Sequence, residues 1–160
     1  MILLDKHRIQ RTIKRMAHQV LEEAKDNDIV LIGLNSRGYA VAKCLKLYLD
    51  EIQGTEPMLC QLHADDEKEF TFPNIPSENQ VLVIVDDVIF SGGTMFRSIR
   101  KISNLSEFNK IMLTVLVDRG HRKYPLLAEI VGVHAPTKLN EHVELTLDNN
   151  EPNNVILIKK

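Results

Sequence analysis

The chain has no large excess of either charge. Its formal net charge is −2 and its pI about 6.3, so the protein as a whole is no polycation. Any contact with nucleic acid must use a local patch. It has only two cysteines, Cys44 and Cys60, without metal-type spacing. That fits a reduced, cytoplasmic setting better than a disulfide scaffold. Long apolar runs are missing too. The opening MILLDKHRIQ turns charged too soon for a signal peptide, and no segment reaches the length of a membrane span. Internal repeats and low-complexity tracts are absent. What remains is 160 residues with 44% hydrophobic and 26% charged side chains, an ordinary globular composition whose length suits one domain, 1–160, with one sizeable core.

Along the chain, apolar runs alternate with helical patterns. Ile9, Ile13, Met16, Ala17, Val20 and Leu21 recur at helical spacing. DIVLIGL (28–34) reads as a buried strand leading into the turn Asn35-Ser36-Arg37-Gly38, and YAVAKCLKLYLDEI (39–52) as a helix stopped by Gly54. MLCQL is a weak strand. Residues 63–80 are polar, broken by two prolines, and read as a flexible loop or mobile hairpin. VLVIV (81–85) is the clearest strand, GTMFRSIRKISNL a helix, and KIMLTVLV another buried strand. Continuous apolar strands alternating with helices predict an α/β fold, an open, mostly parallel sheet flanked by helices. Residues 128–160 change character, to short strands without helices, and read as a small C-terminal hood or edge addition.

The stretch VLVIVDDVIFSGGTMFRS (81–98) carries the chemistry. In open α/β sheets ligands collect at the carboxyl ends of strands. Here Asp86 and Asp87 close an apolar run, and Ser91-Gly92-Gly93-Thr94 then opens a helix. Glycines let backbone amides converge on an anion, the helix start adds its positive end, and Ser91 and Thr94 add hydroxyls. That is a phosphate cradle, but no Walker loop, since no Gly-Lys-Ser/Thr follows. Carboxylates accept from hydroxyls. A phosphate cradle beside a carboxylate pair describes a ribose 5-phosphate site.

VLVIVDDVIFSGGT resembles the signature of type I phosphoribosyltransferases. LDKHRIQRTIKRMAHQVLE, LIGLNSRGYAVAKCL and VLVDRGHRKYPLLAEIVGVHAPTK are similar to the pyrimidine-operon attenuator/uracil phosphoribosyltransferase subgroup, over most of residues 4–147. The resemblance implies transfer of a phosphoribosyl group from phosphoribosyl pyrophosphate (PRPP) to a pyrimidine base, uracil foremost, giving UMP. It implies that Asp86 and Asp87 hold the ribose hydroxyls, with Val88 beside them, and that Ser91, Gly92, Gly93 and Thr94 hold the 5-phosphate. Ser36, Arg37 and Gly38 would form the pyrophosphate loop, with Arg37 and the two aspartates as the catalytic groups. Asp118, Arg119 and Val131 would lie near pyrophosphate and base, and 131–138 would hood the base. Magnesium would ride on the pyrophosphate rather than sit in a protein cage. The resemblance also implies self-association.

Two features depart from the family. Relatives begin the 63–80 loop with an aromatic–Arg–Asp–Asp pattern, whereas this chain reads His63-Ala64-Asp65-Asp66, and Gly93 stands where relatives carry Arg. Both remove positive charge near an anionic substrate. The rival function is a nucleotide-sensing RNA-binding regulator with little activity. Its candidate surface is the first helix, where Arg8, Arg11, Lys14 and Arg15 form a basic stripe able to track RNA phosphates.

Overall fold

A computed structural model describes residues 1–54, 56–74 and 76–159. Position 75 of the 63–80 loop and position 160 of the 128–160 tail lie outside the described residues. The elements run β1 (Ile2–Leu4), α1 (Lys6–Ala24), β2 (Asp28–Leu34), α2 (Asn35–Gln53), β3 (Met58–Leu62), β4 (Gln80–Ile89), α3 (Gly93–Lys101), β5 (Lys110–Asp118), β6 (Ile130–His134), β7 (Glu141–Asp148) and β8 (Glu151–Lys159). Five strands form a parallel sheet in the order β3-β2-β4-β5-β6, and three form a separate antiparallel sheet in the order β1-β8-β7. The chain therefore has the α/β fold expected, with the second sheet as its hood.

The central strand β4 is buried on both faces. Val81, Val83 and Val85 pack with α1, α2 and the hood residues Val143, Leu145 and Val155. Leu82 and Ile84 pack on the opposite face with Met95 of α3, Phe72 and Phe108. This two-sided burial is why β4 is apolar without alternation. Strand order reverses next to β4, so the carboxyl ends of β2 and β4 open the crevice in which α/β folds bind ligands.

Three boundaries differ from the sequence reading. First, α2 starts at Asn35, directly after β2, so Asn35-Ser36-Arg37-Gly38 is the helix's first turn and not a separate loop. Asn35 absorbs the change of direction in a left-handed conformation, φ 56°, which asparagine tolerates. Second, α3 ends at Lys101 because Ile102 turns extended and pairs with Phe70 in a one-residue bridge. Third, β6 belongs to the parallel sheet, with Val131 paired to Val115. The hood is thus not the contiguous tail 128–160. It consists of β7 and β8, joined by left-handed Asn149 and Asn150 in a two-residue hairpin, plus β1 from the opposite end of the chain.

The 63–80 segment is anchored at its middle. The Phe70 amide donates to the Lys101 carbonyl (2.7 Å), and the Ser103 amide donates to the Phe70 carbonyl (3.0 Å). Phe70 and Phe72 meet edge to face, as do Phe72 and Phe108. Among the described residues no helix is long and apolar enough to cross a membrane.

Candidate active site

β4 carries the aspartates further than expected. The strand runs through them to Ile89, with Asp86 opposite Val115 and Val88 opposite Val117. Asp86 is only 5% exposed, whereas Asp87 is half-buried. Asp86 accepts from the Asp87 amide (2.9 Å). Burial pushes the Asp86 carboxyl well above the ordinary aspartate range, and the Asp87 carboxylate beside it adds to that. Such a pair is relieved by hydroxyl donors or by a cation.

Gly38 lets α2 approach the pair. A β-carbon there would lie 2.8 Å from the Val85 carbonyl oxygen and 3.1 Å from Asp86 Oδ1. Only hydrogen fits, so the first turn of α2 rests directly on the strand that bears the carboxylates. Exposed Ser36 and Arg37 stand on that turn.

The Ser91–Thr94 turn leads straight into α3. Gly92, at φ 86°, caps α3, and the Gly93 amide donates to Ser91 Oγ (3.1 Å). The loop is buckled from outside by the segment after β5. The Lys123 and Tyr124 amides both donate to the Ser91 carbonyl (2.9 and 3.0 Å). Arg122 donates to the Phe90 carbonyl and grips both carboxylate oxygens of Asp118 (3.0 and 2.7 Å). Tyr124 stacks on Phe96 of α3, 4.6 Å between centroids.

Two adjoining pockets result. One, of about 240 Å³, is lined by Ser36, Arg37, Asp86, Asp87, Val88 and Thr94 among others. The other, of about 330 Å³, lies under the hood and adds Phe90, Arg119, Leu139, Glu141, His142 and Glu144. Arg37, Asp87 and Val88 line both.

Several residues sit otherwise than the resemblance implied. Arg37 turns to the hood: its Nε donates to the Leu145 carbonyl (2.8 Å) and its Nη2 to Glu144 (2.9 Å). Asp118 is held by Arg122. Burial would raise its carboxyl, but the bonds from Arg122 and the Gly120 amide outweigh that and hold it below the usual range. It lines neither pocket. Val131 is partly buried, packs against the core cluster that holds Met95 of α3, and lines neither pocket. Arg119 does reach the second pocket. Its guanidinium lies 4.1 Å from the centroid of the Phe90 ring and donates to Thr137 Oγ1 (3.0 Å) and the Glu141 carbonyl.

Sequence reasoning missed the hood residues Glu141, His142 and Glu144, which lie more than forty residues beyond the signature and carry no motif. It also passed over Arg122. There the signal was available, an arginine four positions after Asp118. On α1, Arg8, Arg11, Lys14 and Arg15 are all exposed. Arg15 is bonded to the Gly132 carbonyl and to Gln19, and Arg8 to the Leu3 carbonyl (3.4 Å), whereas Arg11 and Lys14 make no side-chain hydrogen bond among the described residues.

The parallel sheet, the acidic pair at the crevice and the glycine cradle define a phosphoribosyltransferase fold. Residues 2–148 match the phosphoribosyl transferase domain, and the chain belongs to that family. It is 35% identical to the bifunctional protein PyrR of Staphylococcus epidermidis, with 99% of this chain and 98% of the relative covered. It is 32% identical to the pyrimidine operon regulatory protein of Lactococcus lactis, covering 99% and 96%. Among solved structures, the hypoxanthine phosphoribosyltransferase of Trypanosoma cruzi superposes with a TM-score of 0.76 at 15% identity, over 99% of this chain and 96% of that one. At that identity the likeness is one of fold.

Proposed function

We propose that the protein transfers the phosphoribosyl group of PRPP to a pyrimidine base, uracil, yielding UMP and pyrophosphate. The observation that carries this is the pair of adjoining pockets sharing Arg37, Asp87 and Val88. A polar pocket beside the cradle suits a phosphosugar. A second one, walled by Phe90 and Arg119, suits a planar base. The reactive ribose carbon would stand where the two meet.

In this reading the Ser91–Thr94 amides and hydroxyls take the 5-phosphate, and Asp86 and Asp87 accept from the ribose hydroxyls. The amides at the start of α2 face the pyrophosphate. The bond from ribose C1 to the pyrophosphate oxygen breaks and a bond from C1 to a base nitrogen forms. The nitrogen's proton passes to water. Charge builds on pyrophosphate and the sugar turns cationic, so the site's task is electrostatic. Asp87, lining both pockets, favours the cationic sugar. Arg37, held by Glu144, positions the α2 turn under the hood.

Among the described residues no cluster of three or more His, Cys, Asp or Glu gathers into a metal cage. The carboxylate pair alone fits magnesium arriving on substrate, since this ion keeps phosphate and water ligands and needs only a carboxylate or two. Bound, it would neutralise departing pyrophosphate. The test is pyrophosphate release from PRPP and Mg²⁺ with a panel of bases. We expect release with uracil. Release with hypoxanthine or guanine alone would overturn the pyrimidine assignment.

A second reading is favoured by the exposed arginines of α1 and by the names of the relatives, PyrR and pyrimidine operon regulatory protein. In it, α1 binds messenger RNA in response to nucleotide in the site. Wild-type RNA binding should fall steeply with salt, and Arg8→Glu with Arg11→Glu should abolish it. Salt-independent binding, or none, would remove this reading.

A further inference from the structure

We propose that Arg97 is the mobile cation of the phosphate cradle, and that its pairing with Asp65 ties the loop after β3 to the cradle's occupancy. This rests on the phosphoribosyl reading above. A sugar phosphate in the cradle brings negative charge close to Asp86 and Asp87, and a nearby cation must offset it.

Four arginines stand near the site, and three are committed: Arg37 and Arg119 line its pockets and Arg122 braces the cradle from outside. Arg37 is bonded to Glu144 and the Leu145 carbonyl. Arg119 is buried against Phe90 and bonded to Thr137 and Glu141. Arg122 makes four bonds, to Leu126, Phe90 and both oxygens of Asp118. The fourth, Arg97, sits one turn into α3. A β-carbon at Gly93 would lie 3.3 Å from its Nη1. The guanidinium therefore occupies the space that a side chain at position 93 would claim, directly beside the cradle amides.

The contact recorded for Arg97 is an ion pair with Asp65, at 3.6 Å, its side chain 51% exposed and that of Asp65 90% exposed. An exposed pair at that distance contributes little. A phosphate offers shorter, charge-assisted and bidentate bonds to a guanidinium. Arg97 should therefore exchange Asp65 for an arriving phosphate.

The exchange has a consequence for the loop. Its start is fixed by the Ala64 amide, which donates to Asn35 Oδ1 (3.0 Å). Its end is fixed where Phe70 pairs with the backbone at Lys101 and Ser103. Glu69 accepts from Ser103 (3.2 Å). Between these anchors, Arg97 is the ion-pair partner that holds Asp65 against α3. Phosphate binding would release the tip and leave both hinges in place.

The experiment is titration of the wild type, Arg97→Gln, Asp65→Asn and the double variant with ribose 5-phosphate and with PRPP–Mg²⁺. Hydrogen exchange over residues 65–69 is followed in parallel. Both sites are exposed, and circular dichroism checks the fold. Loss of a charged hydrogen-bond partner should weaken ribose 5-phosphate binding roughly tenfold or more in Arg97→Gln. Asp65→Asn should tighten it a few fold at most, and that gain should vanish in the Arg97→Gln background. Ribose 5-phosphate should speed exchange at 65–69 in the wild type but not in Arg97→Gln. Equal affinity of wild type and Arg97→Gln, or a gain from Asp65→Asn that persists without Arg97, would overturn the proposal and leave the phosphoribosyl reading intact. A wild type that binds neither ligand would overturn both.

Discussion

The two turns that flank the crevice are built in opposite ways. The turn at the end of β2 is held by side chains reaching outward. Arg37 bonds to the hood and Asn35 to the loop after β3, while Gly38 permits contact with β4. The turn at the end of β4 is held from outside by backbone amides converging on the Ser91 carbonyl, with Arg122 gripping Asp118 as the buckle. The first turn is thereby tied to the hood and to the loop after β3. The second is braced by the segment after β5 and by its own Gly93–Ser91 bond. On the proposed reading, a cradle that binds by preorganised amides needs such bracing, whereas a turn under the leaving group has to respond to hood and loop.

The hardest way to break this contrast is Gly38→Val. A branched side chain 2.8 Å from the Val85 oxygen has nowhere to go, so α2 must lift from β4. Overpacking of this kind costs about 1–3 kcal/mol. We expect a lowered melting temperature and loss of PRPP binding. A variant that melts and binds as the wild type does would show that contact between α2 and β4 is not required.

Next in size is Asp118→Asn, which unlocks the buckle. Hydrogen bonds to a charged group contribute about 1.5–3 kcal/mol. Asp118 is depressed in the folded state, so its stabilisation is present above the unfolded aspartate pKa and fades as pH falls through the lower folded value. The deficit of Asp118→Asn in denaturant melts should accordingly be large at neutral pH and close in strong acid. A deficit independent of pH would assign the loss to packing.

Asp86→Asn should act in the opposite direction. The folded pKa of Asp86 is raised, so its favourable contribution is present below the unfolded pKa and lost as pH rises through the folded one. Removing the buried charge should make the protein more stable than wild type at neutral pH, with the advantage shrinking on acidification. Affinity for PRPP should fall, since a hydroxyl acceptor is weakened. A less stable Asp86→Asn at neutral pH would contradict the assignment of strain to this carboxylate.

The smallest effect is expected for Glu144→Gln. Arg37 and Glu144 are partly exposed, and pairs of this kind contribute about 0–1 kcal/mol. Stability should hardly move. If the pair serves to wire the α2 turn to the hood, PRPP affinity should change more than the melt does. Equal, negligible effects on both would reduce it to an ordinary surface contact.

The sequence alone determined the parallel α/β core and the local shape of the cradle. Both depend on short-range chemistry. VLVIV, a continuous apolar run bounded by polar residues, reads as a strand buried on both faces, and Ser91-Gly92-Gly93-Thr94 as a tight turn into a helix. Asp86 and Asp87 were legible for the same reason, as adjacent carboxylates next to that turn. Only the tertiary structure decided which of the charged residues are free. Arg37, Asp118 and Arg119 look equally available in sequence. In the fold, Arg37 is bonded to a strand more than a hundred residues away, Asp118 is locked to Arg122, and Arg119 is buried over Phe90. Val131 reads as a roof and instead packs, partly buried, against the core. β1 joins β8 across nearly the whole chain, so the hood could not be read as one contiguous tail. Arg97 reaches the cradle because Gly93 leaves room. Spacing can suggest such an approach, but only packing in three dimensions decides it, because a charged side chain goes to whichever partner the fold brings within reach.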